Sequence, residues 1–222
     1  MRNLLIASLL SLCFIGLNAQ KKDLGFEGTI TYSVTVEGDV DLTTKSQMPS
    51  EVIISYKAPK SSMVMKTAYG NITVIGNSES KEQVVLYDLM GQKIAIKSSK
   101  EETEASLKEI PELTVTVTNE TKKIAGYTCT KVNLTDGNTT TSAYVTKEIV
   151  IPNANWNSQF KNVEGVLMEY SQKAKNDTDA IIVFSAKEVK KAKIKDAVFE
   201  IPPDYKQMTM TEFKQMFGGG DE

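Results

Sequence analysis

The chain has 222 residues, with 26 basic and 28 acidic side chains and no histidine. A formal net charge of -2 gives no electrostatic case for nucleic-acid binding. The absence of histidine excludes His-containing zinc sites, Ser-His-Asp and Cys-His nucleophile systems and histidine general bases, so we do not expect an enzyme.

The first residues have the layout of an export signal. Met1 and Arg2 form a short positive start, residues 4–17 are nearly all apolar, and Ala19 is a small residue at a plausible cleavage point. We predict a secretory signal peptide over residues 1–19 and a periplasmic or secreted protein. The apolar run is shorter than the ~20 residues of a membrane-spanning helix; a retained membrane anchor is the alternative.

Cleavage would leave roughly 200 residues, enough for one domain with a sizeable core. No internal repeat, long linker or change in composition divides that length. We therefore predict a single β-rich domain over residues 20–222, with a short C-terminal helix and a flexible glycine tail.

Strand patterns dominate this domain. Residues 26–36 alternate apolar side chains with hydroxyl-bearing and acidic ones, as in a half-buried strand. Short β-rich runs, separated by Asn, Gly, Ser and Pro clusters, recur at 52–56, 63–67, 72–75, 84–87, 93–96, 113–118, 128–134, 139–145, 165–171, 180–189 and 198–201. We predict a mainly β protein with ten or more antiparallel strands in one sheet, open or partly closed.

Helix patterns are few. Residues 99–110 are charged nearly all round, which indicates a solvated excursion or a marginal helix. In residues 208–217, apolar side chains fall near helical spacing, and Gly218 then stops any helix. This terminal helix is the better candidate to dock on the sheet and cover its apolar face.

The stretch K-K-I-A-G-Y-T-C-T-K begins at Lys122 and contains Cys129, the one cysteine left after cleavage, so no internal disulfide can form. Lys122-Lys123 lies between two alternating segments and predicts a hairpin turn, with Gly126 permitting a bulge. Counting in twos places Cys129 with Tyr127 on the more polar face. We predict a half-buried structural cysteine, because Lys131 is its one nearby activating charge.

No cofactor or metal site is predicted. The pairs Met63/Met65 and Met208/Met210 resemble soft Cu(I) ligands, but no histidine or cysteine stands near them. The acidic clusters at 37–41 and 176–179 do not match a calcium-binding loop and are better read as solvated turns. Trp156 lies in an irregular stretch and is either a loop plug or a binding-site aromatic.

Three motifs carry a family resemblance: F-x-G-x-I-x-Y at 26–32, K-K-I-A-G-Y-T-C-x-K at 122–131 and F-x-I-P-x-x-Y at 199–205. In this order they resemble an exported family of Bacteroidota, domain-of-unknown-function family 4412, over nearly the whole chain after residue 19. That family is similar to the LolA-like lipoprotein-carrier fold, in which a curved antiparallel sheet forms an incomplete barrel. The resemblance implies a cavity for acyl chains or another apolar ligand.

Two functions remain open at this point. The first is a binding module for an apolar or lipid-like ligand, and the alternative is a structural or protein-interaction module of the cell envelope without a ligand. Methionine and aromatic side chains suit the wall of a lipid site. The candidate ligand-binding residues are Tyr32, Val34, Met63, Met65 and Leu134, and an envelope protein partner is left open.

Overall fold

The computed structural model describes residues 25–38, 48–173 and 180–217. The expected signal peptide, residues 39–41 of the first acidic cluster, all of the second, and the glycine tail lie outside these residues. Across the described ranges, no helix combines the length and the apolar character that crossing a membrane requires.

In the part of the chain that the structure describes, 12 strands form one sheet. The strands are β1 Glu27–Glu37, β2 Glu51–Lys57, β3 Lys60–Thr67, β4 Gly70–Asn77, β5 Gln83–Leu89, β6 Gln92–Ser98, β7 Thr114–Ile124, β8 Tyr127–Thr135, β9 Thr140–Thr146, β10 Val166–Lys173, β11 Ile181–Lys191 and β12 Lys206–Thr209. The predicted mainly β fold is confirmed.

The sheet consists of two meanders joined side by side. Strands β1 to β6 pair antiparallel in sequence order, and strands β7 to β11 do the same. An antiparallel ladder between β1 and β11 connects the two meanders. Strand β12 adds to the outer edge as a parallel partner of β6. The outer strands β12 and β7 do not pair with each other, so the curved sheet stays open.

Among the described residues, two short helices flank the sheet, α1 over Lys100–Lys108 and α2 over Met210–Phe217. Ser99 caps α1, because its hydroxyl accepts from the Glu102 amide at 3.2 Å and the Glu102 carboxylate accepts from the Ser99 amide at 2.9 Å. This reciprocal capping box satisfies amides that a helix start leaves unpaired. The charged stretch at 99–110 is therefore a capped helix, in which only Thr103 is buried.

The predicted strand at 198–201 is wrong. Asp196–Phe199 forms a 3₁₀ helix, and Phe199 is buried against Ile75, Leu86 and Ala95. A short apolar run does not distinguish a strand from one buried helical turn. The last strand, β12, follows instead and includes Met208, which the sequence pattern had assigned to the terminal helix.

The predicted turn at Lys122-Lys123 is also wrong. Ala125 and Gly126 form the hairpin loop, with φ of 49° and 88°, and Ile124 pairs with Tyr127 across it. Two consecutive positive φ values are typical of the type I′ turn, whose twist matches that of antiparallel strands. Lys122 and Lys123 instead lie within β7.

Cys129 lies opposite Lys122 in this hairpin and is fully buried rather than half-buried. It belongs to a core cluster that also contains Ile124, Ile149 and Met168. The segment that contributes Ile149 connects β9 to β10 and packs into the core from a distant part of the sequence. Alternation along β8 alone does not reveal this cover.

Gly28 explains the F-x-G part of the first motif. A β-carbon at this position would lie 2.2 Å from the Lys190 carbonyl oxygen and 2.8 Å from a ring carbon of Phe26. The φ of Gly28 is +156°, where other residues are strained. Glycine is therefore required for β1 to approach β11 this closely.

Candidate functional site

A cavity of about 1080 Å³ lies against one face of the sheet. We call this the cavity face. Directly opposed residues on neighbouring strands share a face, and two such rows cross β1 to β4. One row contains Tyr32, Val52 and Met65, and the next contains Ile54, Met63 and Val74, all of which line the cavity.

Strands of the second meander supply an aromatic wall. Tyr170 of β10 stacks on Phe184 of β11, with ring centroids 4.8 Å apart and planes 9° apart. Phe160 meets the edge of Tyr170 at a centroid distance of 5.1 Å. Leu134 and Ile182 extend this wall along β8 and β11. The cavity is thus bounded by aromatic and aliphatic side chains from both halves of the sheet.

Tyr32 fixes the junction between these halves. Its hydroxyl donates to the Leu167 carbonyl oxygen at 2.8 Å. A register shift between Leu167 and Glu169 interrupts the β9–β10 ladder at this point. Burial raises the pKa of Tyr32 well above its ordinary value, so the hydroxyl stays protonated and donates.

The connection between β9 and β10, residues 147–165, covers part of the cavity face, and we call it the covering loop. The Asn155 side-chain amide donates to the carbonyl oxygens of Val163 and Gly165, both at 2.9 Å. These hydrogen bonds tie the middle of the loop to its C-terminal end. Ala154, Asn157 and several of their neighbours border the cavity. A long connection with its own internal hydrogen bonds therefore takes the place expected for a helical lid.

Trp156 anchors the covering loop to β4. Only 9% of its surface is exposed, and its Cζ2 atom lies 3.0 Å from the position that a β-carbon on Gly76 would take. The Lys81 ammonium lies over the ring, 4.9 Å from its centroid. Trp156 is not among the residues that line the cavity. Of the two alternatives left by the sequence, the structure shows a loop plug.

Four of the predicted ligand-binding residues border the cavity, namely Tyr32, Met63, Met65 and Leu134. Val34 does not; it lies opposite Phe184 in the β1–β11 ladder and packs against the core. Whether these residues bind a ligand stays a prediction.

The predicted cover of residues 208–217 is wrong, because no side chain described in this range borders the cavity and α2 contacts β12 and β6 at the sheet edge. Sequence reasoning also missed the aromatic wall of Tyr170 and Phe184. The alternating runs that contain these two residues were recognised as strands, but the sequence did not show which face of each strand borders the cavity.

Polar side chains form the rest of the cavity boundary. They include five amides, those of Gln83, Asn155, Asn157, Gln159 and Gln172, and five hydroxyls, those of Ser61, Thr139, Thr141, Ser158 and Ser171. Among the described residues that border the cavity, the charged ones are Asp136 and Lys173. The cavity therefore combines an apolar wall with largely uncharged hydrogen-bonding groups.

The Asp136 carboxylate is already engaged in its own turn. It accepts from the backbone amides of Thr139 at 2.8 Å and Asn138 at 2.9 Å and from the Thr139 hydroxyl at 3.0 Å. The backbone hydrogen bond from Thr139 is the largest cause of its lowered pKa. Asp136 is therefore a turn-stabilising group rather than a free acid or base.

The described residues offer little else for chemistry. They contain no group of three or more Asp, Glu, Cys or His side chains that could hold a metal ion. Burial raises the pKa of the Cys129 thiol, which disfavours the thiolate form that a nucleophile needs.

The opposite face of the sheet carries ion pairs. The Glu51 carboxylate contacts the ammonium groups of Lys187 at 2.5 Å and Lys66 at 2.7 Å. Lys122 of β7 contacts Glu169 of β10 at 2.7 Å, across the two intervening strands β8 and β9. These groups are partly exposed and belong to the outer surface, away from the cavity.

Comparison with known proteins gives one family and a small set of solved structures. The family model described as "Domain of unknown function (DUF4412)" matches residues 26–205. No curated protein sequence matches the chain.

Among the solved structures, PNGF-II in its P21 crystal form has a TM-score of 0.51 and 16% identity, over 87% of this chain and 34% of that one. The C2 form gives a TM-score of 0.51, 15% identity and coverages of 87% and 33%. This chain thus spans about a third of PNGF-II, and the likeness shows the fold alone. Lipoprotein LppX of Mycobacterium tuberculosis gives a TM-score of 0.37, 11% identity and coverages of 73% and 86%.

Proposed function

This chain belongs to the family described as a domain of unknown function, DUF4412, and we propose that it is a binding module for an apolar or lipid-like ligand. The observation that carries the proposal is the cavity of about 1080 Å³ with its methionine and aromatic wall. Ligand pockets commonly measure about 300–1,000 Å³ and are lined mainly by apolar and aromatic groups. The cavity is slightly larger than that range, so it has room for a long chain.

The energetics support an apolar occupant. Each buried CH₂ group contributes ~0.8 kcal/mol before ordering costs, so a long alkyl chain reaches micromolar affinity without any charged contact. Met48, Met63 and Met65 border the cavity together. Methionine side chains are unbranched and polarisable, which lets them adapt to chains of different shape.

We further propose that the protein acts without catalysis and is exported to the periplasm or secreted after removal of residues 1–19. The absence of histidine and the burial of Cys129 support a non-catalytic role. The apolar run before Ala19 supports export. Intact-mass measurement on protein from its native host tests export; a mass that includes residues 1–19, or a lipid on Cys13, contradicts it.

Binding is tested by titrating folded, delipidated protein with the uncharged fluorescent probe N-phenyl-1-naphthylamine. We expect saturable binding, and we expect Met65→Asp to weaken it about tenfold or more because a carboxylate then borders the apolar wall. Val64→Asp is the matched control, since Val64 is the next residue of β3, points to the opposite face and does not border the cavity.

Denaturant melts of both variants separate binding from stability. The proposal requires Met65→Asp to lose affinity by more than its change in stability explains, while Val64→Asp binds like the parent. Absence of saturable binding by the folded parent protein, or equal loss in both variants, contradicts it. The structural or protein-interaction module would then take its place. Lipid analysis of protein purified from the native host identifies the ligand directly.

A further inference from the structure

We infer that the ligand of this cavity is an uncharged amphiphile, with an apolar chain against the methionine and aromatic wall and a head that carries several hydroxyl or amide groups. The inference rests on the proposed binding function and specifies its ligand class. It is drawn from the polar side chains at one end of the cavity.

Three of these side chains converge around Gly76, and we call them the polar corner: Ser61 of β3, Gln83 of β5 and Asn157 of the covering loop. Ser61 and Gln83 are the cross-strand partners of Gly76 on either side. The Ser61 hydroxyl oxygen lies 3.7 Å, and the Asn157 amide nitrogen 3.5 Å, from the position that a β-carbon on Gly76 would take. The Trp156 ring, with its Cζ2 atom 3.0 Å from the same position, takes the space that Gly76 leaves, and the Ser61 and Asn157 polar atoms lie beside this contact.

The polar corner is half-buried, and its hydrogen-bonding capacity is unused. The side chains of Ser61, Gln83 and Asn157 have no hydrogen-bond partner among the residues that the structure describes, although all three border the cavity. Polar groups that a bound ligand covers need hydrogen bonds from that ligand, because leaving one unpaired in a buried site is costly. Each of these side chains both donates and accepts. A ligand hydroxyl or amide satisfies both capacities at once.

The charged residues that border the cavity also favour an uncharged head. Of the described residues that border the cavity, Asp136 is saturated by its own turn, and Lys173 is exposed at the end of β10. The polar corner therefore contains no cation to receive a carboxylate or phosphate and no free anion to receive an amine. Taking an unpaired charge out of water is far more costly than taking an uncharged polar group that becomes hydrogen-bonded. An uncharged head fits these surroundings.

The apolar wall begins one row away from the polar corner. Ile54, Met63 and Val74 form the next row of the same sheet face. A chain attached to a head at the polar corner therefore runs directly onto this wall and toward Met65. Adjacent polar and apolar surfaces on one continuous cavity favour a single molecule with both parts.

The test compares ligands that share a dodecyl chain and differ in the head. Dodecyl maltoside, dodecanoate and dodecyltrimethylammonium, each below its micelle concentration, compete with N-phenyl-1-naphthylamine for the full chain. We expect the maltoside to bind about tenfold more tightly than either charged compound. Maltose alone is the fourth arm, and we expect it to displace no probe because it lacks the chain.

Two variants locate the head. Gln83→Leu keeps the side-chain size but removes the amide, and we expect it to abolish the maltoside preference while dodecanoate binds as before. Gln207→Leu is the matched control, since Gln207 is exposed on β12 and does not border the cavity. Asn157→Ala in the covering loop provides a second variant of the polar corner should Gln83→Leu fold poorly.

The outcomes distinguish this inference from the function on which it rests. If the probe binds but the three heads compete equally, or a charged head competes best, the inference is wrong and the binding function stands. Displacement by maltose alone also overturns it, because the site then recognises a sugar without a chain. If neither the probe nor any dodecyl compound binds the folded protein, the binding function itself fails.

Discussion

The Tyr32 hydroxyl donates to the Leu167 carbonyl oxygen, 2.8 Å away, and ties β1 to β10 across the intervening strand β11. Both residues are buried, so neither group has water as an alternative partner. We expect Tyr32→Phe to lower the free energy of unfolding by about 1 to 2 kcal/mol, because it leaves a buried carbonyl oxygen unpaired. Urea unfolding followed by fluorescence measures the change.

Tyr127→Phe is the control for this variant. Tyr127 is only partly buried, and its hydroxyl has no hydrogen-bond partner among the described residues. Its loss should change the free energy of unfolding by less than about 0.5 kcal/mol. Equal stabilities for the two variants would show that the Tyr32 hydrogen bond contributes nothing.

Gly28→Ala tests the close approach of β1 and β11. The added β-carbon would lie 2.2 Å from the Lys190 carbonyl oxygen at a φ of +156°, so the central ladder has to move. We expect a loss of about 3 kcal/mol or more, or failure to fold, from overpacking and backbone strain together. Thermal unfolding by circular dichroism measures it.

Gly137→Ala separates strain from steric conflict. Gly137 also has a positive φ, +98°, but no atom lies within 4 Å of the added carbon. Its cost should be about 1 kcal/mol, from the left-handed backbone alone. A Gly28→Ala protein as stable as Gly137→Ala would refute the steric explanation of the F-x-G motif.

Cys129 should be unreactive in the folded protein. Its side chain is fully buried, its thiol donates to the Tyr127 carbonyl oxygen at 3.4 Å, and burial raises its pKa. We expect Ellman's reagent to label no thiol at neutral pH in folded protein that lacks residues 1–19. Complete labelling is expected in concentrated guanidinium chloride. Fast labelling without denaturant would mean that the core around Cys129 opens readily.

Replacing this thiol should be tolerated. Cys129→Ser places a slightly smaller and more polar group in the same space, and we expect a cost of about 1 to 2 kcal/mol with the fold retained. Denaturant melts compare it with the parent protein. Loss of folding would assign Cys129 a larger role than core packing.

Glu51 gives the protein a pH-dependent contribution to stability. Hydrogen bonds from Lys187 and Lys66 lower the pKa of Glu51 from 4.5 to about 2. A carboxylate whose pKa is lower in the folded state stabilises the protein above its unfolded pKa and loses that effect as the pH falls through the folded value. The stabilisation is therefore present at neutral pH and disappears as the pH falls from 4.5 to about 2.

Glu51→Gln should melt at a lower temperature than the parent protein at neutral pH, and the two should converge near pH 2. Thermal melts across this pH range make the measurement. Glu79→Gln is the control, because the Glu79 carboxylate forms no ion pair with a described residue, and its melting temperature should follow that of the parent throughout. A deficit of Glu51→Gln that does not change with pH would exclude the ion pairs as its cause.

Alternation along the sequence was enough to find most strands. The run at 26–36 corresponds to β1, and the runs on either side of Ala125-Gly126 correspond to β7 and β8. A period of two reflects the geometry of any half-buried strand, so it survives without knowledge of the partner strands. Tyr32, Met63 and Met65 were placed near a cavity on this basis, and they border one.

The remaining features depend on contacts between distant segments. The register shift after Leu167 changes which side of β10 the following residues occupy, so counting in twos from Val166 does not place Tyr170 on the cavity face. The irregular sequence of the covering loop has no period at all. The position of this loop depends on the contact between Trp156 and Gly76, which lie far apart in the sequence. No local sequence pattern shows such a contact.

The place of β1 in the middle of the sheet sets the order in which the protein can fold. Each meander forms from strands that follow one another along the chain, so closing its short loops costs little conformational entropy. The seam between the meanders is different: Ser33 and Ser185, which face each other across it, are 152 positions apart. Contacts of such high sequence separation slow folding. Until β11 has emerged from the machinery that delivers the chain, one edge of β1 has no pairing strand. The cavity is built from both meanders, so it does not exist before that point.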